Sequence, residues 1–158
     1  MADALIEDTD LDLVGQVKVA LADQQVQIEG VQRSFPQAPN SIVVTDMPLM
    51  LNLAGAASYP VLEADYGIEE RDYQMLLLVL PQGQGLEGEG ETICEPFFGR
   101  VRRRFLARPH LGVDFVQNSI ITGDTGVRVI SFANMPYYGI IFTNRITAYF
   151  AREYAPNE

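Results

Sequence analysis

The stretch "EERDYQMLLLVLP", residues 69–81, constrains the fold most, because its second half is apolar at nearly every position. In an extended strand, successive side chains point to opposite faces of the sheet. One face of this strand carries Tyr73, Met75, Leu77 and Val79. The other face carries Leu76, Leu78 and Leu80. A strand that is apolar on both faces needs cover on both sides, so the sequence predicts a strand whose C-terminal half is buried on both faces.

The last third of the chain predicts three more strands in succession. They cover residues 113–121, 127–133 and 137–153, with a turn at "GDTG" (123–126) and a connection at "NMPYY" (134–138). The even positions of the last strand are mostly apolar: Tyr138, Ile140, Phe142, Ile146, Ala148 and Phe150. The odd positions include Thr143, Arg145 and Thr147. This alternation indicates one buried side and one side that faces solvent or a partner.

Residues 7–25 have the apolar spacing of an amphipathic helix. Thr9 and Asp12 have capping-box spacing in an acidic first turn. The apolar stripe comprises Val14, Val17 and Leu21, with Leu13 and Ala20 at its edge.

A second helix is predicted over residues 92–108. It begins either at a capping box formed by Thr92 and Glu95 or with Pro96 at the first helical position. Pro109 and Gly112 end it. The residues before it, "QGQGLEGEGE" (82–91), are expected to form a glycine-rich loop.

Residues 26–65 predict less regular structure. Residues 26–41 alternate briefly and then enter a turn, and a short strand is expected near 42–45. An irregular apolar segment follows, interrupted by Pro48, Gly55 and Pro60. Long apolar loops of small domains are usually covered, often by another subunit.

This order of elements predicts a single domain, residues 1–158, of the α+β class. Its sheet is mainly antiparallel, and two helices pack on it.

The chain is acidic: 11 Lys and Arg against 21 Asp and Glu give a formal net charge of −10. Such a surface repels phosphate and anionic lipid at long range, which disfavours nucleic-acid binding over the whole surface. Cys94 is the only cysteine, which excludes an intramolecular disulfide and a zinc site built from cysteines. We expect no signal peptide and no membrane span, because the N-terminal residues are acidic and the apolar runs are short.

Five arginines nevertheless fall within "GRVRRRFLARPHLG", residues 99–112, which holds no acidic residue. On a helical wheel one face collects the apolar side chains Cys94, Phe98, Val101 and Phe105, with Phe97 beside them. The opposite side carries Arg100, Arg103 and Arg104, with Arg102 and Arg108 nearer the edges. This pattern predicts an amphipathic helix with a basic outer face. Three roles stay open for that face: contact with solvent, with the acidic surface of an identical neighbour, or with DNA.

The sequence motifs that could carry chemistry are weak. Gly83, Gly85 and Gly88 spell G-x-G-x-x-G, but the acidic residues among them disfavour a pyrophosphate, and no second βαβ unit follows. The acids at the start of the chain resemble a calcium loop in their spacing: Asp8, Asp10 and Asp12. The glycine and glutamate that such a loop requires are absent, since Leu13 and Val19 stand there.

Catalysis is not expected from the remaining polar residues. His110 is the only histidine, and it follows Pro109 at a helix end without an identifiable catalytic partner. An acidic group is expected to be solvated or to meet arginines: Glu63, Asp65, Glu69, Glu70 and Asp72.

A family resemblance rests on three stretches: "YGIEERDYQMLLLVLPQGQG", "EPFFGRVRRRFLARPHLG" and "GDTGVRVISFANMPYYGIIFTNRITAYF". They are similar to tail-terminator (tail-completion) proteins of long-tailed bacteriophages. The resemblance covers about residues 66–150, and the leading helix is consistent with it. It depends on the order of the elements and on short sequence motifs, none of which is catalytic.

The resemblance implies a small α+β subunit that assembles with itself into a ring, commonly a hexamer. Such a ring caps the last ring of the tail-tube protein, stops tube growth and presents a surface to the neck or head-completion proteins. Genomic DNA passes through its lumen without sequence-specific binding. The resemblance implies no catalytic residue, no cofactor, no metal and no membrane, and a location in the virion tail or neck after assembly in the host cytoplasm.

The candidate residues for the subunit interface or the lumen are Arg100, Arg103, Arg104 and Arg145. A head-completion or neck-connector protein is the alternative function, and a small nucleotide-binding domain is a more distant one.

Overall fold

The computed structural model describes residues 12–64, 66–83 and 87–151. Its helices are α1 (Leu13–Gln25), α2 (Glu87–Cys94) and α3 (Pro96–Ala107). Its strands are β1 (Arg33–Phe35), β2 (Leu49–Leu62), β3 (Tyr66–Pro81), β4 (Val116–Asp124), β5 (Arg128–Phe132) and β6 (Met135–Ala151). The expectations for a few residues lie outside the described chain: Asp8, Thr9, Asp10, Asp65 and Gly85.

The six strands form one sheet in the order β1-β2-β3-β6-β4, and β5 pairs with a different stretch of β6. β1 runs parallel to β2. The other pairings of the described strands are antiparallel. The helices pack on this sheet, which confirms the α+β class with a mainly antiparallel sheet.

The C-terminal half of β3 is buried on both faces, as its sequence predicts, and the strand lies between β2 and β6. Its first apolar set packs in the main core: Tyr73, Met75, Leu77 and Val79. Leu76 and Leu78 enter a second cluster on the opposite face. Leu80 was expected on that second face, but the register with β6 shifts after Leu78, and Leu80 packs against the main core instead.

The main core fills the space between the sheet and the helices. Val17 and Leu21 of α1 and Val101 and Phe105 of α3 are almost completely buried there. Ala20, expected at the edge of the α1 stripe, is also buried. Removing these apolar side chains from water is the main favourable contribution to folding.

α1 begins later than the periodicity predicts. Asp12 has an extended backbone, and its carboxylate accepts a hydrogen bond from the Gly15 N–H at 3.0 Å. Asp12 is therefore the N-cap itself rather than the N3 residue of a capping box that begins at Thr9, and the helix starts at Leu13.

The second predicted helix is in fact two helices. α2 begins at Glu87, so residues 87–91 are helical and not part of a loop. Thr92 lies inside α2, and Pro96 occupies the first position of α3. Glu95 between them keeps helical dihedral angles, φ −54° and ψ −41°. The two helices are therefore nearly continuous, and the break occurs where Pro96 has no N–H to donate.

Residues 41–65 differ most from expectation. The strand expected near 42–45 is instead a 3₁₀ turn, Val44–Asp46. The segment expected to be irregular is mostly the 14-residue strand β2. Pro48 precedes this strand and does not interrupt it.

The other two residues interpreted as breakers lie inside β2. Gly55 and Pro60 occur where the pairing with β3 shifts register. β1 pairs with β2 only over Leu49–Leu51, so Pro60 lies on a stretch of edge without a strand partner in the described chain. Proline is tolerated on such an edge because its missing N–H breaks no ladder hydrogen bond.

The C-terminal meander is confirmed with shifted boundaries. β4 extends to Asp124, whose carboxylate accepts a hydrogen bond from the Gly126 N–H at 2.8 Å. The expected connection "NMPYY" belongs mostly to β6, and the turn before it is Ala133–Asn134. Both turn residues have positive φ, 52° and 66°, as a tight type I′ hairpin requires.

The second cluster lies on the face of the sheet opposite the helices. Its buried members are Leu49, Leu51, Leu76, Leu78, Ile130 and Tyr137. Phe35, Ile42, Met47 and Phe132 are among the side chains that pack over them. This cover reaches only part of the face. The uncovered part, hereafter the open sheet face, carries Leu53, Asp72, Gln74, Ile120, Thr143, Arg145, Thr147 and Tyr149.

Candidate assembly interface

The arginines of α3 fall into two groups, not one outer stripe. The buried side of the helix is Phe97, Val101 and Phe105, as the wheel predicts. Arg100 turns to the loop after α1. Its guanidinium lies 5.2 Å from the centre of the Phe97 ring, and Nη1 donates to the Glu29 carbonyl at 3.3 Å.

Arg104 joins α3 to the end of α1. Its Nε donates to Gln24 Oε1 at 2.9 Å, and Nη2 donates to Gln27 Oε1 at 2.8 Å. Gln24 is itself buried, and its amide donates to the Leu111 carbonyl at 3.3 Å. Arg104 therefore acts within the subunit, and the same holds for Arg100. The wheel wrongly places both on the outer side.

Arg102, Arg103 and Arg108 remain exposed. Leu106, one turn after the first two, is 79% exposed and is the most exposed of the large apolar side chains that the structure describes. Among the predicted candidates on α3, Arg103 alone is free to meet another molecule.

Arg145 lies on the open sheet face and is paired there. Its Nε donates to Asp72 Oδ1 at 2.9 Å, and Nη2 donates to Oδ2 at 3.4 Å. The hydrogen bond to Asp72 and the negative charge of that carboxylate raise the pKa of Arg145 above its usual value. Both side chains are partly exposed, so the pair contributes little to stability. As the sequence predicts for a side that faces solvent or a partner, the described residues leave Arg145 exposed and Thr143 and Thr147 partly exposed.

The end of the β2–β3 hairpin exposes apolar side chains that the sequence analysis did not single out. Tyr59, Leu62 and Tyr66 are each about half exposed or more, and we call them the hairpin tip. Beside the tip lies a groove of about 640 Å³ lined by Tyr66, Ile68, Gln117, Tyr149 and Phe150. The ring of Phe150 lies across Gly67, where a Cβ would be only 2.6 Å from it.

A buried polar cluster occupies the helix side of the same hairpin. Glu69 is buried and accepts two hydrogen bonds from Arg71, at 3.1 and 2.9 Å. Arg71 also donates to the Gly55 carbonyl at 2.7 Å and to the Tyr59 hydroxyl at 3.3 Å. The hydrogen bond to Glu69 raises the pKa of Arg71, although burial opposes it. These contacts connect β2 to β3 below the tip.

Tyr73 adds a buried hydroxyl that has no hydrogen-bond partner among the described residues. Burial raises the pKa of its phenol, and the negative charge of Glu69 acts in the same direction. Two of the five acids considered for catalysis, Glu69 and Asp72, thus meet arginines as expected.

The remaining sequence candidates form no chemical centre in the part of the chain described. His110 is exposed, and its Nδ1 lies 3.2 Å from the Val116 carbonyl. No group of three or more histidine, cysteine, aspartate or glutamate residues in the described ranges is placed to hold a metal ion. Burial raises the pKa of the Cys94 thiol to about 11. No described helix is long and apolar enough to cross a membrane.

Comparison of the sequence with models of known protein families and with curated proteins found no match.

Proposed function

We propose that this chain is a structural virion protein: a tail terminator that forms a ring at the head-proximal end of a phage tail. In this role it ends growth of the tail tube and joins the tail to the neck. The proposal combines the resemblance of residues 66–150 with one structural observation, the exposed hairpin tip, of which Tyr66 adjoins the open sheet face beside Tyr149.

The hairpin tip supports self-assembly because the residues that the structure describes leave its side chains about half exposed. Leu62 and Tyr66 lie past the end of β4, because β4 pairs with β6 only as far as Ala148, whereas the pairing of β3 with β6 continues to Ala151. Tyr59 lies level with the end of β4. Contiguous apolar side chains at a projecting edge are typical of surfaces that another protein covers. A neighbouring copy that covers them would gain most from the aromatic residues, which dominate binding energy at interfaces.

The charge of the chain supports the passage of DNA through such a ring. The net charge of −10 opposes tight binding of phosphate. Arg145, a candidate for the lumen, is neutralised by Asp72 at 2.9 Å and offers no strong anchor for a phosphate. A lumen wall of this composition would let DNA slide.

The alternative, a head-completion or neck-connector protein, draws on the same surfaces. Electron microscopy of a lysate of the phage lacking this gene distinguishes the two functions. A tail terminator predicts tails of abnormal, uncontrolled length that fail to join heads, because nothing stops tube growth. Tails of normal length beside heads without necks would instead favour the connector.

The hairpin tip can be tested with a matched pair of variants. Leu62 and Val43 are both 57% exposed, but only Leu62 belongs to the tip. We expect Leu62→Asp to abolish ring formation on tail tubes, since it places a charge in the interface, while Val43→Asp leaves it intact. Electron microscopy of tubes incubated with each variant measures this. If tubes incubated with Leu62→Asp carry rings at normal occupancy, the hairpin tip is not part of the interface.

A further inference from the structure

We propose that the outer face of α2–α3 docks antiparallel on the same helices of a second copy, crossing near Gly99. The acidic half of each helix then meets the basic half of the other. This contact goes beyond the tail-terminator proposal and does not depend on it.

The outer face of α2–α3 is divided by charge. Its first half exposes Glu89 and Glu95, and its second half exposes Arg102 and Arg103. Glu91 and Arg108 are exposed elsewhere: Glu91 lines a groove beside Arg128 and Tyr138, and Arg108 follows the last residue of α3. The four ion pairs found among the described residues involve none of these six side chains. The described residues therefore leave opposite charges unpaired on the two halves of this face, a pattern that a second copy complements.

The centre of this face is small, and one end of it is apolar. A Cβ at Gly99 would meet only the guanidinium of Arg103, at 3.1 Å, so packing within the subunit does not require a glycine. A glycine inside a helix costs roughly 1 kcal/mol relative to alanine. A small residue at a crossing point lets a second helix approach closely, because the interaxial distance depends on the side chains there. Leu106 is available for burial in such a contact.

The spacing about Gly99 matches a twofold axis. When two antiparallel helices cross at the same residue, a position before the crossing faces the position equally far after it. Glu95 stands four residues before Gly99, and Arg103 stands four residues after it. Each copy would therefore present Glu95 to Arg103 of the other copy, twice in one interface. A twofold interface of this kind closes at the dimer.

The contact should be weak and sensitive to salt. Together α2 and α3 span about 30 Å at roughly 1.5 Å per residue, so one helix per copy buries less than a standard interface of about 1,600 Å². Exposed charges about 10 Å apart are screened at moderate ionic strength. Neighbours in a cyclic ring meet through two different surfaces, so this twofold contact belongs to free subunits and leaves the hairpin tip accessible.

The test is a charge swap in the full-length protein, measured by sedimentation equilibrium at about 50 and about 500 mM salt. We expect Glu95→Lys and Arg103→Glu each to raise the dimer dissociation constant about tenfold or more, because each reverses two symmetric contacts. The double variant and an equimolar mixture of the two single variants should both restore association. Asp23→Lys and Arg128→Glu make the same charge changes at exposed positions off the helix and should have little effect. Circular dichroism confirms that each variant is folded.

The proposal is overturned if the wild-type chain stays monomeric to about 1 mM, or if folded single variants associate as the wild type does. A folded double variant that fails to associate also overturns it. Open-ended oligomers of the free wild-type chain would contradict a closed twofold contact. None of these results changes the tail phenotype of a gene deletion, so they leave the proposed function to its own test.

Discussion

A buried amide pair that joins α1 to β2 gives the sharpest prediction about stability. Gln25 and Asn52 are completely buried. Gln25 Nε2 donates to Asn52 Oδ1 at 2.6 Å, and Asn52 Nδ2 donates to Gln25 Oε1 at 3.0 Å. Asn52 Nδ2 also donates to the Phe35 carbonyl at 3.0 Å. We predict that Asn52→Leu is strongly destabilising, whereas pairing it with Gln25→Met largely relieves the loss.

The magnitude follows from the number of hydrogen bonds removed. Asn52→Leu breaks three, at about 1–1.5 kcal/mol each, and leaves a buried glutamine amide without its partner. The added apolar surface offsets about 1 kcal/mol, which leaves a net loss of about 2–4 kcal/mol. In the double variant both amides are replaced by apolar groups of similar shape, so its loss should be about 1–2 kcal/mol. Gln25→Met alone breaks two of these hydrogen bonds and should cost about 2 kcal/mol. The loss of the double variant should therefore be smaller than the sum of the two single losses by about 3 kcal/mol.

Urea unfolding followed by circular dichroism measures all four proteins of this cycle. The slope of the transition should stay constant, so that shifts in midpoint report stability. Losses in the two single variants that simply add in the double variant, within about 0.5 kcal/mol, would refute the reasoning. A loss below about 1 kcal/mol for Asn52→Leu would show that the pair is not buried in this way.

Two further predictions concern α3 and its neighbour α2. Arg104→Ala should cost about 1–2 kcal/mol in urea unfolding, because it removes the bonds to Gln24 and Gln27, whereas Arg102→Ala should cost less than about 0.5 kcal/mol; equal losses would contradict the division of the arginines. For Cys94, whose pKa is raised to about 11, the folded thiol keeps its proton between about pH 9 and pH 11 while the unfolded chain loses it, so the free energy of unfolding should fall as pH rises through that window. Cys94→Ala should make the decline between about pH 9 and pH 11 shallower, and an unchanged decline would show that Cys94 does not contribute to it.

The two-residue periodicity of apolar side chains predicts the strands that show it clearly. β3 is apolar on both faces, and β6 alternates, so their positions follow from the side-chain pattern alone. β2 escapes prediction because Gly55 and Pro60 normally break a strand. They are accommodated here only because the sheet has register shifts and a partly free edge at these positions, and neither feature is visible in the local sequence.

Prediction of the candidate interface from sequence is limited in the same way, because its contacts join residues that are far apart in the chain. The basic face of α3 is visible in the sequence, but the partners of Arg100 and Arg104 come from residues more than 70 positions earlier in the chain. Their contacts exist only after α1 and α3 pack side by side. The hairpin tip could not be found because β2 was expected to be irregular, although the exposed Tyr59 lies in the apolar segment for which a covering subunit was expected.

A reconstruction of the phage particle by electron cryomicroscopy would locate this chain in the virion. We expect a ring of copies of this chain at the junction of tail and head, in contact with the last ring of the tube, with the hairpin tip of each copy buried against a neighbour. Density for this chain at another place in the particle, or at the junction with Tyr59, Leu62 and Tyr66 facing solvent, would contradict it.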